Sequence, residues 1–308
     1  MHFTHKELAV SLKCCIFRHS FFDRQLKELV NLFITDKSAV NAVLQSIGVV
    51  MGNPTFSCHF IRISTSVIYL FVLCYVGQRQ ERLDLLASIL SGAPLSTHVH
   101  FEMASFVQVA CLQDVVNTVL RYCDSIGMNE QELPNLLSIL TTGSITAISD
   151  AYPRVATTLD QMREVYRLLR SMTEGAVDVR RITRLHVHTL AFQAVLITEN
   201  DGEIPSWKNA GSAAARASLT ASRHTCGDDQ VAISRSRLLL DDSFSSSIEH
   251  GSRRVTLEPE QPVTCWNEMM DDNTKIQICL APVLVCTSVV QTVGGGDNIS
   301  SAGLMIQL

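Results

Sequence analysis

Charge and aromatic rings are scarce in this chain. Of its 308 residues only 18% are charged and 6% aromatic, against 46% hydrophobic. That balance excludes bulk disorder, a collagen-like repeat and a long coiled coil, and it leaves enough apolar material for a sizeable core. Neither sign of charge dominates. Lys plus Arg number 25 and Asp plus Glu 30, a net charge of -5, so no basic face is implied and nucleic acid is not an expected partner. No apolar run reaches the roughly twenty residues of a membrane span. The longest, Ile63 to Gly77, is uncharged, and its Ile, Val, Tyr and Phe content predicts a buried strand rather than an anchor. The opening residues Met1-His2-Phe3-Thr4-His5-Lys6-Glu7 lack a charged start, an apolar run and a small-residue cleavage site, so no signal peptide is expected. None of the ten cysteines forms a C-x-x-C pair, which argues against a zinc ribbon or a thioredoxin motif. Several, such as Cys279 and Cys286, lie in apolar runs, where a thiol behaves as a small hydrophobe. Buried thiols rather than a disulfide framework are expected.

At about 150 residues per domain the length fits one large domain or two small ones. Residues 1–70 show helical spacing over Phe21 to Phe33 and again over Ala39 to Val50, with no chemical motif. They are treated as a region of their own ahead of a domain over 71–308. From about Ser96 the pattern sharpens. Val99, Phe101 and Met103 alternate with His98, His100 and Glu102, which is strand periodicity. Apolar residues from Phe106 to Cys123 then recur at helical steps over about five turns. Asp124 to Met128 leads into a buried strand, Asn129-Glu130-Gln131-Glu132 ends it, and Pro134 sits in the first turn of a second helix. A β–α–β–α order implies parallel strands with a crossover helix. Glu102 and Glu132 then fall at or just after strand carboxyl ends, the edge where open parallel sheets bind ligands. Two carboxylates there suit a hard divalent cation, magnesium on phosphate oxygens above all. The bland alternative is a pair of solvated glutamates.

Near the chain end, Ala281 to Cys286 reads as one buried strand. Thr292-Val293-Gly294-Gly295-Gly296-Asp297-Asn298 follows, with a helix predicted from Ile299. Three glycines let backbone amides turn toward a ligand, and a helix N-terminus beyond them favours an anion. Asp297 at this junction is either a helix N-cap or a general base beside an amide cradle. The run is neither a Walker A loop, since no Lys-Ser or Lys-Thr follows, nor a dinucleotide fingerprint, since it lies at the end of the chain. Elsewhere, Leu159 to Met172 reads as an amphipathic helix and Ala210 to Ala221 as a small-residue helix or turn. Ser243 to Ser252 reads as a loop, and 254–257, 263–266 and 276–280 as short strands. His186 and His188 would share one face of a strand with Arg184. A structural or nucleotide-pocket role is preferred there to a metal role, because no third ligand is nearby.

Three motifs stand in fixed order: His100-Phe101-Glu102, Asn129-Glu130-Gln131-Glu132 and Gly294-Gly295-Gly296-Asp297. Together they resemble the H-x-E, N-x-x-E and G-x-G-D motifs of the ADP-dependent sugar kinases. Thr183-Arg184-Leu185-His186-Val187-His188-Thr189-Leu190 and Pro282-Val283-Leu284-Val285-Cys286 are similar to family stretches too. The resemblance covers roughly Tyr75 to Leu308. It implies a ribokinase-like α/β fold, a three-layer α/β/α core with a mostly parallel sheet that is incomplete on its N-terminal side. It also implies magnesium-dependent phosphoryl transfer from ADP to the 6-hydroxyl of glucose, giving glucose 6-phosphate and AMP. By the same resemblance Asp297 is the catalytic base and Gly294, Gly295 and Gly296 are the anion cradle. Glu102, Glu132 and Asp297 belong to the metal site, with His100 and Asn129 as supporting motif residues.

ADP and glucose are the implied substrates, a monomer is expected, and a membrane association is not. The family's location implies the endoplasmic reticulum, whereas the lack of a signal peptide points to the cytoplasm. The family's long N-terminal half, which supplies most sugar contacts, finds no match in residues 1–70. Two alternatives therefore stand beside the kinase: a catalytically incomplete fragment that binds a nucleotide or a protein partner without turnover, and a ribokinase-type enzyme using ATP.

Overall fold

Residues 9–13, 67–71, 79–93, 95, 98–103, 108–145, 154–199, 207–228, 231, 233–239, 244–249, 252–258, 260–292 and 294–308 are described by a computed structural model. In chain order they form β1 (Ala9–Lys13), β2 (Val67–Phe71), α1 (Arg79–Ser91), β3 (His98–Glu102), α2 (Val109–Thr118), β4 (Ser125–Asn129), α3 (Glu132–Thr142) and α4 (Val155–Met172). After these come β5 (Arg184–His188), β6 (Phe192–Thr198), α5 (Ala210–Cys226), β7 (Ser236–Leu238), β8 (Thr264–Met269), β9 (Lys275–Pro282), β10 (Leu284–Cys286) and α6 (Gly295–Gln307). Eight strands make one sheet in the order β2-β1-β3-β4-β5-β6-β9-β8. From β2 to β5 neighbours run parallel, and β6, β9 and β8 continue antiparallel. The expected α/β architecture is therefore present. β1 and β2 extend its parallel part beyond β3, on the side where the resemblance implied missing strands. β2 also realises the strand predicted within Ile63 to Gly77. The helices predicted over 21–33 and 39–50 lie outside the described residues.

Two helical layers cover the sheet. α5 and α6 pack on one face, against β6, β9, β4 and β5, and on each other. α3 and α4 cover the other face, with α2 beside α3 and α1 beside α2. Because strand side chains alternate between faces, each covered strand divides its residues between the two layers. Val99, Phe101, Ile126, Met128, Leu185 and Val187 are buried on the α3–α4 side. His98, His100 and Glu102, with Arg184, His186 and His188, are equally buried but lie on the α6 side. Alternation in these strands separates two kinds of core rather than core from solvent. The α5 face toward the sheet and α6 is built from Ala210, Ala213, Ala214, Ala217 and Ala221, all buried. Small side chains there bring α5 close to both neighbours.

Several local expectations change. The helix predicted up to Cys123 stops at Thr118 and tightens into a 3-10 turn, Leu120–Tyr122, before the chain enters β4. The apolar run Ala281 to Cys286 is broken: β9 ends at Pro282, which has no amide to continue a ladder, and β10 leaves to pair with β7. Residues 254–257 make only an isolated bridge from Arg254 to Ser245, and α5 extends five residues past Ala221 to Cys226. The expectation of buried thiols is corrected among the described residues, where Cys111, Cys226, Cys265, Cys279 and Cys286 are disulfide-bonded. Disulfides join Cys226 to Cys286 and Cys265 to Cys279. Cys265 and Cys279 are directly opposed in the β8–β9 ladder, a pairing set by register and invisible to residue spacing. Cys123 is a buried free thiol, as expected. Among the described residues no helix is long and apolar enough to cross a membrane.

At the amino ends of β3 to β5 lies a fully buried ion pair. Asp124 Oδ2 accepts from the Val99 amide at 2.7 Å and from Arg180 Nη1 at 2.8 Å, and Arg180 Nη2 donates to the Ala93 carbonyl at 2.9 Å. Burial pushes the Asp124 pKa up to about 6, against the pull of Arg180. Since the folded pKa lies above the unfolded one, the folded state binds this proton more tightly. The contribution of this group to stability is then fullest in acid and is lost as pH rises through about 6. Removing one partner of a buried pair typically costs about 3–5 kcal/mol. Arg180→Met is expected to lose that much in urea unfolding at pH 7, with a deficit that shrinks on acidification as Asp124 takes up its proton. A deficit that is flat with pH would contradict the assignment.

Candidate functional site

β4 reads Ser-Ile-Gly-Met-Asn, and its α6 face carries only Ser125 and Gly127 before Asn129. In register, Ser125 lies between His100 of β3 and Arg184 of β5, and Gly127 between Glu102 and His186. β3 and β5 are two strand spacings apart, roughly 9–10 Å. Long side chains meet across that gap only where the middle strand carries almost nothing. Over Gly127, Glu102 Oε1 accepts from His188 Nε2 at 2.7 Å. Over Ser125, Arg184 Nη1 donates to Ser125 Oγ at 3.0 Å, and Ser125 Oγ lies 2.8 Å from His100 Nδ1. His100 Nε2 is 3.3 Å from Glu102 Oε2. One tautomer satisfies this chain: Ser125 donates to His100 Nδ1, and His100 donates through Nε2 to the carboxylate.

Glu102 is therefore a buried carboxylate held by two imidazoles. Burial opposes its charge, but the His188 charge and the hydrogen bonds from His100 and His188 outweigh it and hold the carboxyl well below the usual range. For His188, burial is likewise the largest influence and lowers the pKa. Glu102 overcomes it, and the net shift is upward. For His100 burial prevails and the ring is shifted toward neutrality.

The second acid stands at the start of α3. Asn129 Oδ1 accepts from the Gln131 and Glu132 amides at 2.8 and 2.9 Å, and Glu132 Oε2 returns to the Asn129 amide at 2.8 Å. These reciprocal bonds are a capping box, so the N-x-x-E spacing has a structural cause of its own. The box ties down Oε2 and leaves Oε1 without a hydrogen-bond partner among the described residues. Burial pushes the Glu132 pKa up to about 7, with His188 and the Asn129 amide pulling it back.

The third piece is the first turn of α6. Gly294, at φ 75°, is the N-cap in the left-handed region that favours glycine. Gly295, Gly296 and Asp297 are then the first three helical residues. The helix begins four residues before the predicted Ile299, and Asp297 lies inside its first turn rather than capping it. First-turn amides have no intrahelical acceptor. A side chain at Gly296 would meet His188 Cε1 at 2.9 Å, one at Gly295 would meet His224 Cδ2 at 3.2 Å, and one at Gly303 would meet His186 Cε1 at 3.3 Å. Gly296 and Gly303 thus let α6 sit directly on the β5 imidazoles, and Gly295 lets it approach His224 of α5.

Glu102, Met103, Asn129, Glu132, His188, Thr292, Gly294, Gly295, Gly296 and Asp297 line one open cleft of about 480 Å³. The site residues expected from sequence come together there, except His100, which stands behind Glu102 as its hydrogen-bond partner. Sequence spacing left out Gly127, Ser300 (Oγ 3.4 Å from His100 Nε2) and His224, and it underrated His188. Among the described residues no group of three or more His, Cys, Asp or Glu is arranged to hold an ion unaided. Magnesium is commonly held by one or two carboxylates plus substrate phosphates. Glu132, a buried carboxylate with an open oxygen in the cleft, fits that pattern, with Glu102 lining the same cleft.

Known proteins are similar to this chain. The conserved region of ADP-specific phosphofructokinase/glucokinase matches residues 75–306. The chain belongs to this family. It is 30% identical over 230 residues to an ADP-dependent glucokinase of Bos taurus, covering 74% of this chain and 43% of that protein. It is 27% identical over 238 residues to a probable ADP-dependent glucokinase of Caenorhabditis elegans, covering 74% and 44%. The chain thus spans less than half the length of these relatives. The crystal structure of a hypothetical ADP-dependent phosphofructokinase from Pyrococcus horikoshii is similar at a TM-score of 0.48 and 16% identity, over 78% of this chain and 50% of that one.

A methyl group at Gly127 would overlap Glu102 Oε2 and come within 2.5 Å of Ser300 Oγ. Gly127→Ala is therefore expected to cost about 1–3 kcal/mol, the range for overpacking a core. Thermal unfolding of this variant should also lose its sensitivity to a second change, Glu102→Ala, which vacates the contested space.

Proposed function

We propose that the chain carries the phosphoryl-transfer chemistry of an ADP-dependent glucokinase, moving the β-phosphoryl group of ADP to the 6-hydroxyl of glucose. The observation that supports this most is the pairing, in one cleft, of glycines and an acid on the first turn of α6 with two buried carboxylates, one at the end of β3 and one at the start of α3. Phosphoryl transfer needs positioning and charge stabilisation more than covalent help. Gly296 presents its amide, and α6 the positive end of its dipole, to the transferring group, while the Gly295 amide is held by the Thr292 carbonyl at 3.0 Å. Asp297, one residue further along, accepts the proton of the attacking hydroxyl. Magnesium held at Glu132, with Glu102 supporting, would neutralise charge on the phosphate oxygens. His100 and His188 keep Glu102 ionised and oriented, and the capping box fixes Glu132.

A second reading is favoured by the chain's span of less than half its curated relatives: a nucleotide half-site that binds ADP without turnover. One experiment separates the two. Purified chain with glucose, magnesium and ADP is assayed for glucose 6-phosphate and for AMP, with ATP as the control donor. The kinase reading expects glucose-dependent AMP from ADP and little from ATP. It expects Asp297→Asn to lower turnover about 10²- to 10⁴-fold, the usual weight of a general base, at unchanged unfolding temperature. ADP binding by calorimetry with no product would select the half-site. Full activity in Asp297→Asn would remove the base assignment.

A further inference from the structure

We propose that His188 is a positioning residue that couples the metal-side acid to the phosphate cradle. The inference rests on the function proposed above. His188 touches both parts at once. Its Nε2 donates to Glu102 Oε1 at 2.7 Å, the shorter of the two imidazole bonds to that carboxylate. Its Cε1 fills the notch left by Gly296, so closely that a Cβ there would come within 2.9 Å. The ring is 5% exposed and lines the cleft, so it has little room to turn. Glu102 is on β3 and Gly296 on α6; His188 bridges them at the first turn, whereas the other link from Glu102 to α6 runs through His100 to Ser300. A shift of the carboxylate pulls the imidazole, and the imidazole carries the first turn of α6 with it. His100, on the other carboxylate oxygen, lies beside Ser300 a full turn further into the helix and does not line the cleft.

The test uses the full chain with His188→Ala, His188→Gln, Glu102→Ala and the double variant Glu102→Ala/His188→Ala. ADP affinity is measured by calorimetry with and without magnesium, and the Gly296 amide is followed by NMR. Outer-shell partners of metal ligands typically matter about 10- to 100-fold in affinity. His188→Ala should cut the magnesium-dependent gain in ADP affinity about tenfold or more. His188→Gln should recover most of it, because its side-chain amide still donates to Oε1, and the double variant should be no worse than Glu102→Ala alone. An intact gain in His188→Ala overturns the proposal. So does a glutamine variant as poor as the alanine one, which would reduce His188 to ring packing. If the unmodified chain binds no ADP, the proposed function falls, and His188 is judged by NMR alone. Glu102→Ala must then move the Gly296 amide when His188 is present and leave it unmoved when His188 is absent. Any other result overturns the coupling.

Discussion

A carboxylate stripped of water at the end of β3 governs this architecture. Leaving Glu102 ionised inside the fold is costly unless donors replace its hydration. Two imidazoles do so, one from its own strand and one from two strands away. The second bond forms only if the intervening strand is bare, hence Gly127. It also places a ring where α6 must pass, hence Gly296. Ser125 and Gly303 repeat the arrangement one step further into the sheet, for His100 and His186. Small residues on β4 and α6 are thus consequences of long polar residues on β3 and β5.

The same face explains why a polar core is tolerated at all. Arg184 donates to Ser125 Oγ and to Gln307 Oε1, and its guanidinium lies 5.6 Å from the Trp207 ring centroid. His98 stacks on the same Trp207, with ring centroids 4.0 Å apart. The charged groups are therefore tied to α6 and to the chain ahead of α5 by directional bonds, while the opposite face of the same strands is filled by Val, Ile, Leu, Met and Phe. Apolar burial supplies most of the driving force. The polar face supplies register, because a one-residue slip would put every imidazole against α3 and α4.

Much of this was legible in the residues. The alternation of His98 to Glu102, the short β4, the acids at strand ends and the glycine run before Asp297 all carry local signals, and the ordered motifs gave the family. What failed was non-local or in conflict with propensity. The Glu102–His188 bond spans 86 residues and depends on strand register. The Cys226–Cys286 disulfide spans 60, and no spacing rule predicts it. Glycine disfavours a helix interior by about 1 kcal/mol, so spacing places the start of α6 at Ile299. The close approach of His188 and His224 requires glycine at the true start, and tertiary packing prevails over propensity. The segment Asn129 to Glu132, read from sequence as a strand end and a family motif, is also a capping box, a helix-start pattern that the sequence reading did not use.

That capping box also shows why structural and chemical roles need not compete for one residue. Glu132 uses Oε2 to close the first turn of α3 and keeps Oε1 for the cleft. Tying one oxygen removes the rotational freedom that a ligand would otherwise have to restrict, so order lost on folding is not lost again on binding. α6 follows the same logic. Gly295, Gly296 and Asp297 occupy consecutive positions of one turn, so under the proposed function the group that would steady a phosphate and the group that would accept a proton stay together. Under the same proposal, what remains to be set is the relation between this turn and the acids on the sheet. The imidazole of His188 stands at that joint.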